Sequence, residues 1–187
     1  MILYVNACVR ECSRTERIAK ALLRTLGEEY EEVKLAEETP EPLSAERLQK
    51  RTELIEQGDY SDPMFRPARQ FQRADRIVIA APYWDLSFPS ILKVYLENVY
   101  VTGLVSAYGA DGAPRGLCRA RKLFYVTTAG GPYLPDYSYD YIRALAVNCF
   151  GIPETELIKA EMLDVEGYDA EKLVEQAVKG IRERIKP

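Results

Sequence analysis

Residues 76–93 read RIVIAAPYWDLSFPSILK. The first seven, Arg76–Pro82, are apolar almost throughout and rich in β-branched side chains. Such a run suits a central strand buried on both faces, because a half-exposed strand would alternate apolar with polar residues. The helical pattern that follows, Pro89–Val101, is apolar nearly all round. Strand, turn and helix within so short a span make one step of a β–α repeat.

The same step recurs on either side. Ile2–Asn6 reads as a first strand, and Arg14–Leu26 as a helix with Ile18, Ala19, Leu22, Leu23 and Leu26 on one face and Gly27 as its stop. Glu32–Leu35 is a short second strand, followed by an acidic, proline-containing linker, Glu37–Pro42. Leu43–Gln57 and Phe65–Ala74 are expected to be helical. Beyond the central strand, Gly103–Gly116 is a glycine-rich loop excursion, and Lys122–Gly131 a fourth strand with its turn. Tyr137–Phe150 is a helix that Gly151 stops, Leu157–Met162 a last strand, and Ala170–Ile185 a closing amphipathic helix. Five β–α steps predict a parallel sheet in the order 2-1-3-4-5 with helices on both faces, a three-layer α/β sandwich. In such sheets the ligand lies beyond the carboxyl ends of the strands. The turns after strands 1, 3 and 4 are therefore the ones to examine.

Composition limits what those turns can do. With 187 residues, the chain suits one domain, taken as 1–187, since domains run to roughly 100–200 residues. The net charge of −4, with acidic and basic residues interleaved, argues against nucleic acid as the main partner. Four cysteines without a signal peptide suggest reduced, cytoplasmic thiols, and no apolar run approaches a membrane span. Histidine is absent, which removes Ser-His-Asp and Cys-His catalysis and the commonest metal ligand.

The first turn, NACVRECSRTE (6–16), has none of the glycines of a dinucleotide fingerprint and no Gly-Lys-Ser/Thr ending. It also lacks the acidic residues of a phospho-receiver. Ser13, Arg14 and Thr15 at a helix start are either a monophosphate site or part of a plain capping box closed by Glu16. Cys8 and Cys12 have CxxxC spacing, unlike a zinc site, so they are redox thiols or small packed residues. The second turn places Tyr83, the sole tryptophan Trp84 and Asp85 directly after the buried strand. Its aromatics either face a planar ring or plug the sheet end. The third turn, TTAGGPYLPDYSYDY (127–141), offers Gly130 and Gly131 for close backbone approach. There Tyr133 and Tyr137 suit a pocket or a subunit contact, and Tyr141 the helix core.

Taken together, the three turns resemble the flavodoxin-like NAD(P)H-dependent FMN oxidoreductases, especially the azoreductase and quinone-reductase branch. APYWDLSFPSILKVYLENVYVTG (81–103) carries most of the resemblance. It implies a flavodoxin-like fold, bound FMN, NADH or NADPH as cosubstrate, a quinone or azo compound as the small-molecule acceptor, and a homodimer. By the same resemblance Ser13, Arg14 and Thr15 would hold the phosphate, and Pro82, Tyr83, Trp84, Asp85 and Leu86 would flank the ring and ribityl chain. Thr128, Ala129, Gly130 and Gly131 would contact the ring's polar end. In the hydride transfer expected of such a protein, Tyr133 and Tyr137 are the candidates, from their place in the third turn, to donate a proton or a hydrogen bond to the acceptor. Asp85 stands where azoreductases commonly carry Asn, and Cys8 and Cys12 where small hydroxyl residues are common. A flavodoxin-type electron carrier and a flavin-free interaction module are the alternatives on the same fold.

Overall fold

A computed structural model describes residues 1–185. Five strands form one parallel sheet: β1 (Ile2–Asn6), β2 (Tyr30–Lys34), β3 (Arg76–Ala80), β6 (Lys122–Thr128) and β7 (Glu154–Ala160). Their order is β2-β1-β3-β6-β7. This is the expected 2-1-3-4-5 winding once a small insert, β4 (Ser106–Tyr108) and β5 (Pro114–Gly116), is set aside. The central strand is β3, and its residues from Ile77 to Ala80 are fully buried.

Alternate residues of the central strands feed two separate cores. Leu3, Val5, Ile77, Ile79, Leu123 and Tyr125 pack on one side, against α3 (Arg66–Arg73), α4 (Ser90–Val99) and α5 (Tyr139–Leu145). Ile2, Tyr4, Val78, Phe124 and Val126 pack on the other, against α1 (Arg14–Leu26) and α6 (Ala170–Arg184). A strand that is apolar at every position buries both faces, and this produces the three layers.

Several boundaries differ from the sequence reading for local reasons. The excursion at 103–116 is an antiparallel ribbon rather than a plain loop, with Ser106 paired to Gly116 and Tyr108 to Pro114. The helix expected from Phe65 is entered through a 3₁₀ turn at Pro63–Phe65, with Asp62 capping the Met64 amide. The helix expected over 137–150 starts at Tyr139 and loosens into a π-helical turn, Ala146–Phe150, before Gly151 ends it at φ +75°. The last strand begins at Glu154, three residues earlier than the apolar pattern indicates, because Glu154–Glu156 pair with the edge of β6. The remaining helix, α2 (Ala45–Glu56), has no fully buried residue. Arg51 holds it by donating to the carbonyls of Glu97 and Tyr100.

Candidate functional site

The carboxyl ends of β1, β3 and β6 enclose a cavity of about 350 Å³. From the first turn, Ser13, Arg14 and Thr15 line it, together with Val9, Arg10 and Cys12. The loop begins at Asn6, a fully buried amide that accepts from the Cys8 amide at 3.0 Å and donates to Glu16 and Glu32. Ser13 caps α1 by accepting from the Glu16 amide at 3.3 Å. The reciprocal half of the capping box is not made, because the Glu16 carboxylate serves Asn6 instead. Capping therefore satisfies the Glu16 amide, while the amides of Arg14 and Thr15 have no partner among the described residues. Free amides at a helix start suit an anion. The Thr15 hydroxyl, nearly buried, meets the Thr128 hydroxyl at 2.6 Å and ties the first turn to the third.

Pro82, Tyr83 and Trp84 line the cavity from the second turn. The Tyr83 amide donates to the Thr128 carbonyl at 3.0 Å. Trp84 and Ser87 exchange both backbone hydrogen bonds, at 3.0 and 2.8 Å, around Asp85 (φ +49°) and Leu86 (φ +68°). Two successive left-handed residues make a tight hairpin turn of the kind that favours Asn-Gly, so a leucine here is strained by about 1–2 kcal/mol. Asp85 and Leu86 are exposed and do not line the cavity, so the Asp85 carboxylate is no part of its wall.

The third turn contributes Thr128, Ala129 and Gly130 to the lining, and Gly131 sits just beyond. Neither the Gly130 nor the Gly131 amide has a partner among the described residues. A Cβ on Gly130 would lie 2.5 Å from the Asp164 carboxylate. Tyr133 and Tyr137 do not line the cavity. Tyr133 is buried behind Tyr83, with ring centroids 4.8 Å apart, and its hydroxyl meets that of Ser138 at 2.7 Å. Burial pushes the Tyr133 phenol up, so it stays protonated. Tyr137 is exposed, and its carbonyl accepts from the Ser87 hydroxyl.

A fourth segment, Met162–Asp164, closes the cavity, and the sequence reading missed it. The amides of Met162, Leu163 and Asp164 donate to Gly131, Ala129 and Gly130 respectively. Leu163 and Asp164 line the cavity, and Asp164 accepts from Arg14 at 2.8 Å. The available signal was topological, since this segment follows the last strand of the same sheet edge. Val9, Arg10 and Cys12 lie inside the first turn but outside its Ser-Arg-Thr pattern. Cys8 packs beneath the site, 2% exposed, and burial pushes its thiol up to about 11. Cys12 is exposed on the cavity wall.

No cluster of metal ligands occurs among the described residues. The ionisable groups on the wall are Arg10, Cys12, Arg14, Tyr83 and Asp164. That set can bind and orient a ligand, with the Arg14–Asp164 pair fixed across the wall. Free amides at one end, aromatic side chains along one side and a glycine turn at the other fit a flat ring joined to a phosphate by a polar chain.

The family model described as flavodoxin-like fold matches residues 1–185. An FMN-dependent NADH:quinone oxidoreductase of Coprothermobacter proteolyticus is 32% identical over 95% of this chain and 94% of its own. One from Clostridium beijerinckii is 39% identical over 66% of this chain and 63% of its own. The solved structure of an FMN-dependent NADH-azoreductase from Bacillus anthracis, in complex with FMN, superposes with a TM-score of 0.81 at 22% identity, covering 97% of this chain and 95% of that one. The chain belongs to the flavodoxin-like fold family, among relatives named FMN-dependent NADH:quinone oxidoreductases.

Proposed function

We propose that the protein is an FMN-dependent NADH oxidoreductase that reduces a quinone, an azo compound or a similar small acceptor. The observation that carries this reading is the single cavity wall formed by the free amides at the start of α1, the aromatics Tyr83 and Trp84, and the Gly130 turn. The relatives' names supply the cofactor and the reductant. When bound, FMN supplies the redox chemistry, taking hydride equivalents from the nicotinamide and passing electrons to the acceptor.

The chain's own residues bind and tune. Ser13, Thr15 and the Arg14 and Thr15 amides form the phosphate end. Pro82, Tyr83 and Trp84 flank the ring, and Asp85 and Leu86 border its entrance from outside the wall. Thr128, Ala129, Gly130 and Gly131 serve the polar edge, where free amides would stabilise negative charge developing on a reduced ring. Tyr133 acts through Tyr83, holding that ring in place, and Tyr137 belongs to the rim. The exposed apolar residues Trp84, Leu86, Leu134 and Tyr137 suit a twofold contact around the cavity mouth, so we infer a homodimer. Among the described residues no helix is long and apolar enough to cross a membrane. We infer a cytoplasmic protein, because its four cysteines are all unpaired, as thiols in a reducing compartment are.

An anaerobic absorption spectrum tests the reading. The protein loaded with FMN should show the flavin band, and NADH should bleach it within seconds, with a quinone restoring it. Binding without bleaching by NADH or NADPH would mark a flavodoxin-type carrier. Failure to bind added FMN would leave a flavin-free interaction module.

A further inference from the structure

Two arginines border the phosphate end of the cavity, and they are not equivalent. Arg14, in the Ser-Arg-Thr pattern, is already engaged. Its Nη1 donates to the Asp164 carboxylate at 2.8 Å and to the Leu163 carbonyl at 3.5 Å. Asp164 is in turn fixed by its amide, which donates to the Gly130 carbonyl at 2.9 Å. Arg10 also lines the cavity, is exposed, and makes no ion pair or hydrogen bond through its side chain among the described residues.

We propose that Arg10 is the cation that engages the flavin phosphate, while Arg14 and Asp164 form a charge-neutral wall joining the loops after β1 and β7. The proposal rests on the flavin reading above. The wall carries two guanidinium groups and one carboxylate, so pairing Arg14 with Asp164 leaves a single net positive charge, that of Arg10. A phosphate monoester carries between one and two negative charges at neutral pH. If Arg14 turned to the phosphate, it would leave an unpaired carboxylate beside the anion. Arg10 meets the anion without exposing one. The free amides of Arg14 and Thr15 would fix the phosphate's position, and Arg10 would add a charge-assisted bond. Arg10 thus adds to the amides' preference for FMN over riboflavin, which has the same ring and chain without the phosphate.

Quenching of flavin fluorescence by the apoprotein, titrated with FMN and with riboflavin at low and high salt, tests this. Arg10→Ala should raise the Kd for FMN roughly tenfold, leave that for riboflavin unchanged, and flatten the salt dependence. Arg14→Ala should lower the melting temperature and weaken both ligands by similar factors, keeping the preference for FMN. Adding Asp164→Asn to Arg10→Ala should recover part of the FMN affinity, because it frees Arg14. The proposal is overturned if Arg14→Ala abolishes the preference while Arg10→Ala keeps it. Equal loss of FMN and riboflavin in Arg10→Ala overturns it as well. If the wild-type protein quenches neither ligand, the flavin reading itself falls and this assignment falls with it.

Discussion

At the scale of single residues, two adjacent glycines have different tasks. A Cβ on Gly130 would meet the Asp164 carboxylate at 2.5 Å, whereas one on Gly131 would meet nothing within 4 Å. The atom in the way is the end of an exposed side chain, so it can move, but moving it breaks the pair with Arg14. Gly130→Ala should therefore cost less than about 1 kcal/mol of stability, as an exposed ion pair does, yet weaken FMN binding several-fold. Gly131→Ala keeps its amide and the Arg14–Asp164 pair, so it should leave stability unchanged and weaken FMN less than Gly130→Ala does. Thermal melts and flavin titrations of the two variants check this. The thiols differ in the same local way. Cys12, exposed on the cavity wall, should react with a maleimide in the native protein, and FMN should slow that reaction. Cys8, buried and held protonated, should react only on unfolding. Mass spectrometry of the labelled peptides reads both. Sequence alone showed Ser13, Thr15, Tyr83 and Gly130 because their residue types announce turns, caps and rings. Asp164 was not legible, since nothing around it marks a site until the sheet brings it against Gly130.

At the scale of elements, the periodicity located every strand of the main sheet and every helix to within a few residues. The ribbon was the exception. Ser106–Tyr108 and Pro114–Gly116 are too short and too irregular to alternate, so their pairing depends on what they dock against. That dock is the π-helical end of the fifth helix. A Cβ on Gly116 would lie 1.9 Å from the Gly151 amide nitrogen and 2.0 Å from the Phe150 carbonyl carbon, both backbone atoms that cannot swing aside. The Cys118 amide donates to the Phe150 carbonyl at 3.2 Å and continues the contact. Gly116→Ala should undock the ribbon, costing about 1–3 kcal/mol as overpacking does. It should also open residues 104–117 to limited proteolysis while leaving the sheet intact. Gly167→Ala, placed where a Cβ meets nothing, is the control: only its positive φ of +88° makes a cost there, so stability falls without new cleavage in the ribbon.

At the scale of the whole molecule, the absence of histidine and the burial of thiols and phenols set the dependence of stability on pH. With no histidine in 187 residues, no imidazole changes charge between folded and unfolded chains near neutrality. On the acid side, Glu31 and Glu161 are held below the ordinary carboxylate range. Partial burial works against this, but hydrogen bonds outweigh it, from Gln70 and Arg73 to Glu31 and from Lys159 and the Tyr133 amide to Glu161. Their contribution is present above the ordinary carboxylate pKa and is lost as pH falls below about 4. On the alkaline side, burial pushes Cys8 up to about 11 and Cys118 up to about 12, and it raises the Tyr4, Tyr95 and Tyr125 phenols as well. Above the ordinary thiol pKa the unfolded chain releases protons that the folded chain keeps. Stability is therefore full below about pH 9 and falls as pH rises toward 11, by about 2–3 kcal/mol for Cys8 alone. Urea midpoints should form a plateau from about pH 5 to 8.5 and then decline. Cys8→Ala removes the ionisable group at the price of a small cavity, so it should lower the plateau by about 1 kcal/mol and make the decline above pH 9 shallower. An alkaline slope identical in the variant and the wild type, measured under reducing conditions, would show that the thiol beneath the first turn is not what limits the fold at high pH.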